Sequence, residues 1–377
     1  MKINELHISN FRNHELSTLK FGNDLNLIRG LNGSGKTTIL EAISVCALSK
    51  TFQPTQDVGL IKAKSTSYSL KLTAKSDLDI DYKISVDYRS NGRKIFNSSY
   101  GDNLLPKEVI GVIPLVILTP DNKNITFGSP GDRRQFLDTI LSQSSKKYVD
   151  DALRNKKLLK QRNALLSQAA KSGNIDENLL QIISEQFIKC SADIIAKRIK
   201  FIYEFKPYFI DTYRYIADIP EVPDIVYLPD SIRDNAVDDV GQITEILNER
   251  YQKINRIEKI RGATLFGPQR DDLLFTINGL KSKDSASQGQ HKTLLISIKL
   301  AEFTFLNEIL NETPVLLFDD IFSELDIERS NKVFSRVIEN KSQTIITMTN
   351  SERLMGSFSS KAVFFDITEG KVQYNDE

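Results

Sequence analysis

The sequence is short of several things that would each have narrowed its role. It holds only two cysteines in 377 residues, Cys46 and Cys190, both in helix-like apolar patterns and neither at metal-ligand spacing. That argues against a disulfide framework or a cysteine metal site, and buried thiols of a reducing compartment are expected. No apolar run is long enough to span a bilayer. The chain opens on the strand-like Lys2-Ile3-Asn4-Glu5-Leu6-His7-Ile8, not on the apolar block of a secretory signal. A cytoplasmic protein with no membrane partner is the expectation. Net charge is scarce too: 50 Lys and Arg stand against 49 Asp and Glu, leaving +1. Any attraction for a polyanion must therefore come from local clusters. No internal repeat, low-complexity tract or base-stacking series of aromatics is present, and none of the three histidines lies beyond His291.

What is there is a phosphate-cradling loop, Gly30-Leu31-Asn32-Gly33-Ser34-Gly35-Lys36-Thr37-Thr38. Its glycines let backbone N–H groups turn inward on a polyanion. Lys36 can reach the outer phosphates, and the Thr37 hydroxyl can hold Mg²⁺. The context fits: Leu25-Asn26-Leu27-Ile28 reads as a strand, and Ile39, Leu40, Ala42 and Ile43 read as the buried face of a helix that points its N-terminus at the anion. A nucleoside triphosphate is the implied ligand.

The chain changes character twice. Around the loop it is strand-rich, with period-2 alternation in Tyr68-Leu70-Leu72 and Ile80-Tyr82-Ile84-Val86-Tyr88, and a buried run from Ile113 to Leu118. From about Asp132 to Arg261 it is mainly helical. One helix is expected from Lys146 to Lys171 and a second from about Glu177 until Pro207 interrupts or ends it. Two opposed helices of about 25 residues would make an arm of roughly 35–40 Å. Pro220, Pro223 and Pro229 mark an irregular connection, and Val240 to Ile260 supplies another helix. From Ala263 strands and helices alternate again. The pattern predicts an α/β domain over 1–131 and 262–377, with a helical insertion over 132–261.

Two later segments complete a nucleotide site. Val315-Leu316-Leu317-Phe318 followed by Asp319-Asp320 is a buried strand ending in acids. Asp319 is placed to hold Mg²⁺ directly or through water, and Asp320 to polarise the attacking water. Ser287-Gln288-Gly289-Gln290 precedes an apolar helix and offers a hydroxyl, bare N–H groups and a positive dipole end. A second anion receptor in a chain that already has one points to another subunit's nucleotide. Ser323-Glu324-Leu325-Asp326 follows the acids and could cross the same interface.

In this order the motifs resemble an ABC-type ATPase head, a mixed sheet with helices. The histidine that usually follows the next strand is absent, and Thr349 holds its place. The helical insertion and this absence resemble the DNA-repair branch, which includes the structural-maintenance-of-chromosomes proteins. Over essentially its whole length the chain resembles the RecF family. The resemblance rests on Ile8-Ser9-Asn10-Phe11-Arg12-Asn13, Gly30 to Thr37, Pro120-Asp121 through Gly128-Ser129-Pro130 to Arg133-Arg134-Gln135-Phe136-Leu137-Asp138, Gly267-Pro268-Gln269-Arg270-Asp271-Asp272, the Ser287 to Leu294 segment, and Asp319 to Asp326. Gln269 stands where the family usually has histidine, and Gln53 where a basic residue often follows the phenylalanine.

The resemblance implies an ATP- and Mg²⁺-dependent homodimer that closes around two nucleotides. It implies binding to gapped DNA at single-strand/duplex junctions, work with RecR and RecO to direct RecA, and slow hydrolysis that reopens the dimer. Asp320 is one methylene shorter than the glutamate of fast ABC ATPases, which fits low turnover. Arg12 is a candidate phosphate contact. Lys62 with Lys64 are candidate DNA-phosphate contacts, as are the clusters around Lys156 and Lys197. Arg133-Arg134 suit either DNA or pairing with nearby carboxylates.

Overall fold

The computed structural model describes residues 1–232, 237–323, 325–339, 341–349 and 362–375. The chain forms two compact units, one of residues 1–122, 212–218 and 292–377, the other of 123–211 and 219–291.

The first unit holds two six-stranded sheets. One is wholly antiparallel and opens with the hairpin Lys2–Phe11 and His14–Lys20, turned at Arg12-Asn13. At the end of the first strand Phe11 is fully buried and packs edge-on against Tyr68, in the same core as Leu6 and Ile8. Ser67–Lys75 and Asp81–Arg89 extend the sheet, and their buried and open residues alternate as the sequence pattern requires.

The other sheet is mixed. Its centre is the loop strand Leu25–Arg29, flanked in parallel by Thr344–Met348 and Val363–Thr368; next to Thr344–Met348 lies the acid strand Val315–Asp319, then Leu115–Leu118. Every residue of Val315–Asp319, Thr344–Met348 and Leu115–Leu118 is buried, which explains the unbroken apolar runs 315–318 and 115–118. The helix Lys36–Leu48 lies against strands of both sheets, and all but one of its residues are buried. A helix sandwiched in this way needs apolar or small residues all round, and Ile39, Leu40, Ala42, Ile43, Val45, Cys46 and Ala47 meet that need.

The second unit is mainly helical. It contains Pro130–Ser144, Lys146–Ser172 and Val240–Arg261, most of the helix Glu177–Ala217, and a three-stranded sheet with Asp272–Ile277 at its centre. Two expectations fail here. The helix from Glu177 does not stop at Pro207 but continues to Ala217, 41 residues in all. The hydrogen bond that proline removes falls on the turn carrying Tyr203, which is 82 % exposed, while Phe201, Phe205, Phe209 and Tyr213 are fully buried along the other face. Burial on that face outweighs the lost bond. The arm is therefore not built from two helices of equal length. The proline-marked connection is also not irregular throughout, since Pro223–Leu228 is an edge strand antiparallel to Asp272–Ile277. Proline is tolerated there as the first residue of an edge strand.

Three helices of this unit are tied by a fully buried ion pair. The Arg162 guanidinium donates to both Glu258 oxygens, to Ser184 Oγ and to Thr264 Oγ1, with Phe266 and Tyr251 against its plane. Among the described residues no helix is long and apolar enough to cross a membrane.

Candidate functional site

A cleft of about 720 Å³ in the first unit gathers the phosphate loop, the acid strand and residues that the sequence reading did not foresee. The loop is shaped by close approach. A Cβ on Gly30 would stand 2.4 Å from the Ile367 carbonyl oxygen, and one on Gly35 only 2.6 Å from His14 Nε2. Gly35 also has φ 112°, a conformation that side chains avoid. The peptide of Gly35 passes directly over the Asn13-His14 pair and into the N-terminus of the helix, which faces the cleft.

Lys36 is 7 % exposed and donates from Nζ to the carbonyls of Gly30 (2.7 Å) and Leu31 (2.9 Å). Burial lowers its pKa, and the nearby charges of Asp320 and Asp319 act against that. Asn32, Gly33, Thr37 and Thr38 line the same cleft, whereas Leu31 projects outward, 82 % exposed, and Ser34 is buried behind the loop.

Thr37 Oγ1 donates to Asp319 Oδ1 at 2.8 Å. Thr347 Oγ1 donates to the same oxygen at 2.7 Å. Thr347 lies opposite Asp319 in the parallel pairing of their strands and opposite Ile28 of the loop strand. Its strand therefore fits between the two halves of the site, and its hydroxyl joins them. Asp320 follows with φ 49°, and its N–H donates to Thr347 Oγ1 (3.0 Å) and the Thr347 carbonyl (3.2 Å). Asp320 lines the cleft. Thr349, given the place of the absent histidine, is exposed beyond the strand end and does not line it. A hydroxyl and one carboxylate are hard oxygen donors, and no cluster of three or more His, Cys, Asp or Glu occurs among the described residues. That donor set fits Mg²⁺, which keeps waters and takes its remaining ligands from phosphate.

Arg12 lines the cleft, but its fork is engaged with Glu41. Nε donates to Oε2 at 3.0 Å and Nη2 to Oε1 at 2.7 Å, and Nη2 also reaches Gln53 Oε1 at 3.3 Å. Glu41 is 2 % exposed, so this bidentate pair holds the Arg12 turn to the loop helix. Gln53, at the position where the family favours a basic residue, accepts from Arg12. Lys62, a DNA candidate by sequence, lines the nucleotide cleft and donates to the Asn13 carbonyl at 3.0 Å. Lys64 is exposed at the adjoining turn.

The signature lies in the second unit up to His291. Ser287 and Gln290 form a reciprocal cap. The Gln290 N–H donates to Ser287 Oγ and the Ser287 N–H to Gln290 Oε1, at 3.2 and 2.7 Å, while Gln290 Nε2 donates to Glu221. Gln288 and Gly289 open the helix Gln288–Leu310. His291, 4 % exposed, stacks on Phe127 with ring centroids 3.5 Å apart, and burial lowers its pKa. Asp326 caps the helix Ile327–Glu339, accepting from the Arg329 N–H at 2.8 Å, and Arg329 Nε donates to Thr293 Oγ1 at 3.0 Å. Ser323 ends the short turn Ile321–Ser323, and Glu324 lies outside the described residues. Arg133 is paired structurally: its fork donates to both Asp272 oxygens, and it is 6 % exposed.

Asn13, His14, Glu41 and Thr347 were not foreseen as parts of this site. Asn13 carried a signal in the turn before the loop strand. Thr347 carried one only through sheet register.

Residues 2–371 match the model of the RecF/RecN/SMC N-terminal domain. The chain is 37 % identical over 359 residues to the DNA replication and repair protein RecF of Chlorobium phaeovibrioides, covering 95 % of this chain and 96 % of that one. A solved structure of the recombination mediator protein RecF-ATP in the RecFOR pathway superposes with a TM-score of 0.91 at 30 % identity, over 99 % of this chain and 97 % of that one. The Smc head domain from Pyrococcus furiosus, with its extended coiled coil and bound to the C-terminal domain of ScpA, shares the fold alone. Its TM-score is 0.56 at 15 % identity, over 99 % of this chain and 96 % of that one.

Proposed function

The chain belongs to the RecF branch of the RecF/RecN/SMC N-terminal domain family, and from that premise we propose that it is an ATP-dependent DNA-binding recombination mediator. The observation that carries this reading is the meeting of Lys36, Thr37, Asp319, Asp320 and Thr347 around one cleft. In it the loop's N–H groups and Lys36 take the phosphates. Thr37 and Asp319 would hold Mg²⁺, which when bound neutralises phosphate charge and orients the outer phosphates. Asp320, at the cleft wall, orients or deprotonates the attacking water, and its short side chain keeps turnover slow. Thr349 holds the chain position where a histidine is usual, one residue beyond the strand Thr344–Met348 and outside the cleft lining.

Ser287 to Gln290 serve the nucleotide of a second copy, so that ATP closes a homodimer and hydrolysis reopens it. Ser323, Glu324 and Asp326 belong to the same interface. Arg12 reaches phosphate only by loosening its grip on Glu41. The closed dimer binds single-strand/duplex junctions through the DNA backbone and acts with RecR and RecO to direct RecA, in support of the SOS response. Lys64 suits a DNA phosphate; Lys62, in the cleft, suits the nucleotide side. The helical segment 132–261 is the inserted domain of this head.

ATP hydrolysis measured with gapped duplex against no DNA tests the reading. Stimulation by the gapped substrate is expected. Equal rates with no DNA binding at any ATP concentration would refute it in favour of an ATPase that does not act on DNA gaps.

A further inference from the structure

The phosphate loop is gripped by two side chains outside its own motif, Asn13 at the cleft wall and the buried His14. Asn13 Nδ2 donates to the carbonyls of Ser34 (3.0 Å) and Gly33 (3.4 Å), and Asn13 Oδ1 accepts from Thr38 Oγ1 (3.2 Å). His14 Nε2 lies 3.0 Å from the Gly35 carbonyl, and its Nδ1 lies 2.8 Å from Ser17 Oγ. The N–H of Gly370, in the turn between the last two strands, also donates to the Ser34 carbonyl, at 2.9 Å. His14 is fully buried.

A trans peptide points its carbonyl and its N–H in opposite directions, and the described chain has no cis bonds. Anchoring the Ser34 carbonyl to Asn13 and Gly370 therefore aims the Gly35 N–H away from those two, and anchoring the Gly35 carbonyl aims the Lys36 N–H away from His14. These are the N–H groups that a phosphate must meet. We infer that Asn13 and His14 are positioning residues for phosphate recognition, holding the loop's peptides in the anion-binding orientation before nucleotide arrives. The glycine geometry supports this independently, because a Cβ on Gly35 would collide with both side chains, at 2.6 to 2.8 Å. Loop and clamp are built to one another's surface. A pre-aimed nest stays aimed without ligand, so the orientation cost is met in folding, not in binding.

The inference rests on the ATP reading and is tested in the full chain by calorimetric titration with ATP and with inorganic tripolyphosphate. Wild type binds both. His14→Phe, which keeps the ring and removes the donor, weakens both by about three- to tenfold, the worth of one hydrogen bond. His14→Gln, which can still donate to Gly35, recovers most of that loss, and Asn13→Ala weakens both ligands by at least as much as His14→Phe. Loss of the ATP and tripolyphosphate affinities in equal proportion assigns the effect to the phosphates. If His14→Phe fails to fold, the half-exposed Asn13→Ala carries the test. Unchanged affinity in Asn13→Ala, or His14→Gln as weak as a folded His14→Phe, overturns the clamp while leaving ATP binding intact. Wild type that binds neither ligand overturns the nucleotide reading itself.

Discussion

Replacing Thr347 by valine keeps the shape of the side chain and removes one hydroxyl that joins the two acids of the cleft. That hydroxyl donates to Asp319 Oδ1 and accepts from the Asp320 N–H. A bond to an ionised carboxylate is worth about 1.5–3 kcal/mol and a neutral one about 0.5–1.5 kcal/mol. Asp319 keeps its bond from Thr37, and the Asp320 N–H keeps the Thr347 carbonyl, so the loss falls below the full sum. Thr347 is 1 % exposed, and water cannot replace the hydroxyl. The net cost is about 2–3 kcal/mol, a large share of a typical stability of about 5–15 kcal/mol. Urea unfolding followed by circular dichroism measures it, and ATP turnover should fall together with stability as both carboxylates lose a fixed position. A change under about 0.5 kcal/mol with unaltered turnover would refute the reasoning that this strand holds the acids in register.

Lys36→Met should abolish ATP-driven dimerisation, measured by light scattering, because the cradle loses its cation. Ser287→Arg should leave ATP affinity near wild type and block dimerisation; loss of ATP binding would mean that the signature does not act in trans. Arg162→Met leaves Glu258 buried without its partner and should cost about 3–5 kcal/mol, whereas Arg162→Met with Glu258→Leu should cost much less; equal losses would show that the buried charge is not what matters. His14 and His291 are both held below the ordinary value of 6.5 by burial. Groups with depressed folded pKa values contribute stability above their unfolded value, lost as pH falls through the folded one. Melting temperature should therefore drop as pH is lowered from about 6.5, and less steeply in His291→Phe.

Much of the site was legible because its parts are local. A phosphate loop, a strand ending in two acids and a Ser-Gln-Gly-Gln cap each write their geometry into consecutive residues. Asn13, His14 and Thr347 were less legible because contacts between distant segments bring them in: Thr347 meets Asp319 through sheet register, and His14, at the start of a strand of the antiparallel sheet, meets Gly35 at the end of the loop that leaves the mixed sheet. Lys62 reads as a surface cation until the backbone bond from its N–H to the Asn10 carbonyl turns it toward the cleft. Pro207 and Pro223 misled for a related reason. Local propensity argued for breaks, while buried aromatics carried the long helix through one proline and an edge position accommodated the other.

The most direct test of the account is the mass of the protein in solution with Mg²⁺ and ATP, with Mg²⁺ and ADP, and without nucleotide. A dimer with ATP that reverts to monomer with ADP is the predicted result. A mass that does not depend on nucleotide would contradict the claim that the cleft and the signature together form a nucleotide-closed dimer.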